Sequence, residues 1–328
     1  MFTRRSFMQT SAAFLAGASL SNYVTASEKE GKMIWANMLN LGHNMWGDTP
    51  RAYTPCSDKL ICQDDVWEKV TNRMAEAKLN MVLIDLGEGI QYQSHPELAI
   101  EGSWSIEKLR KELTRLRGMG LEPIPKLNFS ACHDTWLGEY SRMVSTQKYY
   151  SVCEDLIKEV CEIFDHPRFF HLGYDEETAG HQATYDYVVI RQGELWWHDF
   201  LFFVKTVDNQ NVRPWIWSDF CWKHKEEFMK RMPKHVLQSN WYYGEGFEPD
   251  KSVYVQTYLD LDKAGFDQVP TGSNWANDVN FGRTVEFCKK NISKEHLCGF
   301  LQTPWKSTIA ASLDHHYRAI EQIEAVKY

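Results

Sequence analysis

Residues 169–178 read "FFHLGYDEET", an apolar run that ends in three consecutive acids, Asp175, Glu176 and Glu177. Acids in a first helical turn are stabilised by unpaired N–H groups and the positive end of the helix dipole, so a helix start is one explanation. A strand that carries a carboxylate pair into a pocket is the other. The surrounding chain repeats the same pattern of a short β-rich run followed by a helical stretch. Such runs fall at 33–40, 80–86, 121–128, 168–174, 212–218, 235–241, 268–274 and 297–303. Between them, apolar residues at helical spacing mark helices over 64–78 (Val66, Val70, Met74, Ala77), 105–117 (Ile106, Leu109, Leu113, Leu116) and 145–164 (Val152, Leu156, Val160, Phe164). Further helices are expected at 190–208, 223–232, 257–266, 282–291 and 307–326. Alternating strand and helix implies a parallel sheet, and eight such units imply an α/β fold of the closed (β/α)8, or TIM-barrel, type.

The composition agrees with one large folded unit. The chain has 328 residues, 43% of them hydrophobic and 24% charged, which is ordinary for a globular protein and excludes general disorder. A net charge of −8 argues against nucleic acid as a partner, because phosphate binding needs a basic footprint. The 13 Trp favour a cleft that handles flat apolar sugar faces.

At the N-terminus, Arg4, Arg5 and Phe7 precede a short mildly apolar stretch and small residues at Thr25 and Ala26. This is the pattern of a twin-arginine export signal over residues 1–26, read by the twin-arginine export machinery. The apolar stretch is too short to span a bilayer. The expected product is a single barrel over 27–328, free of the membrane, periplasmic or secreted, in a bacterium. The eight cysteines lack the close paired spacing of a zinc site, so no metal and no cofactor is expected. Cys56 and Cys62 are near enough in sequence to close a loop, although free thiols are the expected state of most. His315 and His316 read as surface residues of the last helix.

In a (β/α)8 barrel the reactive groups sit at the C-terminal ends of the strands. Those ends carry Asn40, His43 and Trp46; Asp85 and Glu88; Lys126, Asn128, His133 and Trp136; Asp175 and Glu176; Trp217 and Asp219; Asn240 and Trp241; Asn274 and Trp275; and Gln302 and Trp305. Four successive strands each bring a Trp to one rim, which predicts an aromatic pocket around the two carboxylates. Asn128, His133, Asp219, Asn240, Trp217, Trp241, Trp275 and Trp305 are the candidate substrate contacts.

At these positions the chain resembles the family 20 glycoside hydrolases, which include the β-N-acetylhexosaminidases. "HLGYDE" (171–176) is similar to that family's His-x-Gly-Gly-Asp-Glu motif at the end of strand four, and "FDHPRFF" precedes it. "MAEAKLNMVLIDLGEG", "PKLNFSACHDTW", "WIWSD", "SNWYY" and "GFLQTPW" extend the resemblance over roughly residues 33–306. It implies exo-acting, retaining hydrolysis of terminal N-acetylated sugars from a glycan or small saccharide. In that mechanism the substrate's acetamido oxygen attacks the anomeric carbon. Glu176 would be the general acid, with a pKa raised by the neighbouring Asp175, and Asp175 would hold the acetamido N–H. Glu177 has no role in that scheme beyond a first helical turn. Tyr242 and Tyr243 are the candidates for contacting the acetamido carbonyl.

The chain departs from the family pattern in several places. Leu41 stands where strand one usually offers an arginine. Asp85 and Glu88 replace the histidine-rich end of strand two, Cys132 aligns with the family histidine with His133 one residue later, and Tyr174 replaces the second motif glycine. Two alternatives stay open: a glycosidase of other specificity, with Glu88 or Asp219 as second carboxylate, and a barrel that binds carbohydrate without cleaving it.

Overall fold

The computed structural model describes residues 32–47, 54–186 and 188–327; the expected export signal lies outside them. Eight strands run parallel: β1 (Ile34–Asn40), β2 (Met81–Asp85), β3 (Glu122–Lys126), β4 (Phe169–His171), β5 (Arg213–Trp217), β6 (Leu237–Ser239), β7 (Thr271–Gly272) and β8 (Gly299–Gln302). Their order is β6-β5-β4-β3-β2-β1-β8-β7. Closure between β6 and β7 rests on single bridges, Gln238 to Gln268 and Trp241 to Thr271. Hydrogen bonds from Val269 N to Gln238 O (2.8 Å) and from Thr271 N to Asn240 O (2.9 Å) complete the ring. The fold is a (β/α)8 barrel.

Strand alternation divides the core in two, because successive side chains point to opposite faces. Ile34, Ala36 and Met38 face inward with Met81, Leu83, Ile124, Phe169, Trp215, Leu237 and Leu301. Trp35 and Leu39 face outward into the larger core between strands and helices. Each fully buried side chain of this kind contributes roughly 1.5–3 kcal/mol.

The helices are α1 (Asp64–Glu76), α2 (Ile106–Gly118), α3 (Gln147–Ile163), α4 (Glu194–Asp208), α5 (Phe220–Arg231), α6 (Val253–Lys263), α7 (Asn280–Asn291) and α8 (Leu313–Val326). Three start on hydroxyl caps, with Ser105, Thr146 and Ser252 accepting from Lys108 N, Tyr149 N and Val255 N. Such caps satisfy one of the orphan donors of a helix start. α8 begins later than the 307 expected, because residues 307–308 stay with β1: Ser307 bridges Asn40, and the Thr308 hydroxyl donates to Asn40 O at 2.7 Å. His316 is a correction to the sequence reading, since it is buried, with Nε2 3.1 Å from Ser307 O; His315 Nε2 lies 3.0 Å from Pro304 O. Cys62, Cys132, Cys153, Cys161, Cys221, Cys288 and Cys298 carry free thiols, so Cys56 and Cys62 are not joined to each other. No helix among the described residues is long and apolar enough to cross a membrane.

Candidate active site

No helix begins at the acidic triplet. After β4 the chain turns through positive φ at Gly173 (68°), Tyr174 (75°) and Glu176 (55°), a conformation that costs a non-glycine residue about 1–3 kcal/mol. Gly173 is required twice over, since a Cβ there would meet Asn128 Oδ1 at 2.1 Å. Tyr174 adopts the strained geometry without that freedom. Its ring is buried against Trp196, Phe200 and Phe203, and its N–H donates to Asn128 Oδ1 at 3.1 Å. Glu176 N–H donates to Asp219 Oδ2 at 2.9 Å. These anchors fix the turn so that Asp175 and Glu176, though adjacent, both face the pocket.

Glu177 faces away from it. Its carboxylate accepts from Arg191 Nε (2.8 Å) and Nη2 (2.6 Å), from Arg191 N (2.7 Å) and from Ala131 N (3.1 Å). This buried pair ties the loop after β4 to the loop after β3, and α4 starts only at Glu194. The expected helix-start role of Glu177 is therefore corrected.

The pocket has a volume of about 420 Å³, within the usual range for small-molecule sites. One wall is aromatic, formed by Trp46, Trp217, Trp241, Tyr243, Trp275 and Trp305. Trp305 packs 6.1 Å from Trp217 and 6.3 Å from Trp46 between ring centroids, and Trp241 lies 5.1 Å from Tyr243. Trp217 is buried at the base with its Nε1 unpartnered, and Trp275 is 47% exposed at the rim. The opposite wall is polar, with Asn128, His133, Asp175, Glu176, His181 and Thr184.

Asn128 Nδ2 donates to Asp175 Oδ1 at 2.8 Å. His133 Nε2 lies 3.2 Å from Glu176 Oε2 and 3.6 Å from Asp175 Oδ2, and His181 Nε2 lies 3.5 Å from Glu176 Oε1. Burial alone pushes the Glu176 carboxyl up, but hydrogen bonds and charge from the two imidazoles outweigh it and hold the group well below the usual range. Burial lowers His133, yet Asp175 and Glu176 together raise it to about 9. This reverses the expected elevation of Glu176: the two shifts favour the imidazolium and the carboxylate. His133, Asp175 and Glu176 form the one cluster of three metal-type donors among the described residues, with ligand atoms within 4.8 Å of one another.

The remaining expected contacts divide. Trp217, Trp241, Trp275, Trp305, Asn128 and His133 line the pocket. Asp219 lies behind the Glu176 peptide as its backbone acceptor, with burial first and Asp175 second raising its pKa. Asn240 is fully buried outside the pocket and spends its amide on Trp222 Nε1 and Tyr254 O, each at 2.8 Å. Tyr242 points away toward Phe247 and Tyr254. Its neighbour Tyr243 lines the pocket, with its hydroxyl 2.8 Å from Trp305 Nε1 and 3.1 Å from Thr303 Oγ1. Both residues lie past the end of β6, and partners on other elements send them to different sides, so only one tyrosine of the pair reaches the site. Glu88 is buried away from the main pocket, accepting from His43 N at 2.7 Å and Asn44 N at 3.1 Å. Leu41 is buried in the outer core, and beneath the pocket Asp85 pairs with the buried Lys126. His181 and Thr184 escape sequence reasoning because they lie on the long loop before α4, where no periodic signal reports direction.

Structural neighbours share this architecture. A family 20 exo-β-N-acetylglucosaminidase from Vibrio harveyi, in complex with N-acetylglucosamine, superposes with a TM-score of 0.62 at 14% identity, over 90% of this chain and 54% of its own. A chitobiase from Flavobacterium johnsoniae gives 0.63 at 16% identity, over 81% and 46%. A mutant Streptomyces plicatus β-hexosaminidase in complex with product GlcNAc gives 0.62 at 13%, over 89% and 63%. The likeness is one of fold. The chain spans about half to two thirds of the length of these proteins. No protein-family model matches it, and no curated protein does.

Proposed function

We propose that this protein is a glycoside hydrolase that removes terminal N-acetylated sugars from glycans by substrate-assisted, retaining catalysis. The observation that carries the reading is the placement of two adjacent carboxylates, Asp175 and Glu176, against one aromatic wall at the end of β4. Fold neighbours in complex with N-acetylglucosamine and GlcNAc support the substrate class.

The chemistry assigns one group to each need. Glu176 gives a proton to the departing glycosidic oxygen as the bond to the anomeric carbon breaks, a role worth roughly 10²–10⁴-fold. The proton comes from His133 Nε2, which donates to Glu176 Oε2. Asp175, with Oδ1 held by Asn128, offers Oδ2 to the acetamido N–H, so that the acetamido oxygen attacks from the opposite face and positive charge on nitrogen is offset. Tyr243 supplies the hydroxyl for the acetamido carbonyl: Trp305 Nε1 donates to the tyrosine oxygen, and the tyrosine hydrogen turns from Thr303 Oγ1, 3.1 Å away, to the substrate. Water then opens the cyclic intermediate, and Glu176 takes the water's proton.

A second reading, a barrel that binds carbohydrate without cleaving it, draws on the ionised resting state of Glu176 and on Leu41 where an arginine clamp is common. We further propose export by the twin-arginine route, with residues 27–328 as one barrel. The deciding experiment is a panel of chromogenic glycosides on the mature protein: turnover confined to 2-acetamido sugars and blocked by a thiazoline analogue supports hydrolysis. Equal turnover of plain glucosides overturns the acetamido mechanism, and saturable sugar binding without turnover selects the second reading.

A further inference from the structure

We infer that His133, Asp175 and Glu176 also form a divalent-cation site of the zinc class that excludes saccharide from the pocket. The exclusion rests on the proposed sugar reading, whereas the cation site rests on geometry alone. Zinc held at about 2.0–2.2 Å by nitrogen and oxygen donors in a tetrahedron requires those donors to stand roughly 3.3–3.5 Å apart. His133 Nε2 stands 3.2 Å from Glu176 Oε2 and 3.6 Å from Asp175 Oδ2. All three ligand atoms lie within 4.8 Å of one another, so an ion that displaces the Nε2 proton of His133 gathers them by side-chain adjustment.

The donors are also aimed. Asn128 holds Asp175 Oδ1 at 2.8 Å, which leaves Oδ2 toward the histidine. The Glu176 backbone is fixed by Asp219, and His181 stands 3.5 Å from the oxygen of Glu176 that the ion would not use. Outer partners of this kind orient ligating groups. His133 and Asp175 are buried while Glu176 is half-buried at the pocket wall, so three protein ligands are supplied and the fourth position opens toward the pocket, the arrangement of zinc sites that exchange ligands. One imidazole with two carboxylates favours zinc over magnesium, which prefers an all-oxygen octahedral shell. Other histidine–carboxylate pairs lack this convergence: His95 uses opposite ring nitrogens for Glu97 and Asp155. Since the ion takes Asp175 Oδ2 and Glu176 Oε2, the acetamido N–H loses its acceptor and the glycosidic oxygen its proton donor.

Calorimetric titration of the full-length protein with zinc chloride, and separately with magnesium chloride, tests the site. The expected result is one saturable zinc site, magnesium weaker by at least about tenfold, and a similar or larger loss of zinc affinity in His133→Asn and in Glu176→Gln. Both variants are checked by circular dichroism, and His133→Gln stands in if His133→Asn misfolds. N-acetylglucosamine should raise the apparent zinc Kd. Absence of a saturable zinc signal, or unchanged affinity in both variants, overturns the site and in the second case assigns the ion to other groups such as exposed Cys56. Because binding is read directly, a protein that hydrolyses no glycoside still decides the question. Zinc that binds without weakening sugar binding or hydrolysis overturns the exclusion.

Discussion

His133 Nε2 lies 3.2 Å from Glu176 Oε2, and each shifts the other: the carboxylates raise the imidazole and the imidazoles lower the carboxyl. On the proposed mechanism the general acid is therefore ionised before a glycosidic oxygen arrives, with the buried imidazole as its proton source.

Replacing each carboxylate should give a different signature. Glu176→Gln keeps shape but can no longer pass the proton from His133 to the leaving group, so turnover is expected to fall by roughly 10²–10⁴-fold with little change in binding. Glycosides with a strongly activated phenol should lose least. Asp175→Asn should lose rate on activated and unactivated glycosides alike, because the acetamido group is no longer held or its charge offset. Leaving-group dependence of kcat/KM separates the two; identical profiles would refute the division of labour.

Tyr243→Phe removes a hydroxyl from the pocket, and Tyr242→Phe removes one from the outer side. The first is expected to cost about 1–3 kcal/mol of transition-state stabilisation, the usual loss for a hydrogen bond in a buried site, and the second close to nothing. Parallel kcat/KM measurements on one 2-acetamido substrate test this, and equal effects would remove Tyr243 from the mechanism.

Burial raises Glu88 from 4.5 to about 7. With a folded pKa above the unfolded one, its stabilising contribution is complete below pH 4.5 and is lost as pH rises toward 7. Glu88→Gln stays neutral and keeps one oxygen for the His43 and Asn44 amides. The variant should gain on the parent by up to roughly 3 kcal/mol between those pH values. Thermal melts from about pH 4.5 to about pH 8 report the difference, and curves that stay parallel across the range contradict it.

Changing both Arg4 and Arg5 to Lys should trap the precursor in the cytoplasm, because lysine lacks the planar guanidinium fork. Fractionation after expression decides it; mature protein still found outside the cytoplasm would point to the general secretory route.

The strands are legible in the sequence because each is a short apolar run ahead of an amphipathic helix, and all eight fall within the expected windows. The four rim tryptophans converge on one pocket for the same reason: barrel topology fixes which strand end is which. Direction beyond the strand ends is not legible. β6 stops at Ser239, and past it the facing of Tyr242 and Tyr243, and the turn of Asn240 away from the pocket, depend on partners such as Trp222 and Thr303 on other elements. Glu177 defeats a local reading because its partner, Arg191, lies across a loop that local propensity does not describe. The protonation of Glu176 is equally hidden: Asp175 is visible beside it in sequence, while the two imidazoles that dominate come from elsewhere in the chain.

The closure of the barrel has a dynamic consequence. β1 and β2 pair through a five-residue register, whereas β6 and β7 meet through isolated bridges, so the staves part more cheaply at that seam than at β1–β2. Local openings follow the least-bonded contacts, and the amides of Val269 and Thr271 should trade their hydrogens for deuterium well before those of β1 and β2. Trp241 sits on this hinge line and belongs to the aromatic wall, so when the seam breathes, the cleft widens on the side away from the carboxylates. A ligand larger than the closed pocket would then enter through a transient gap while Asp175 and Glu176 stay held by Asn128 and Asp219.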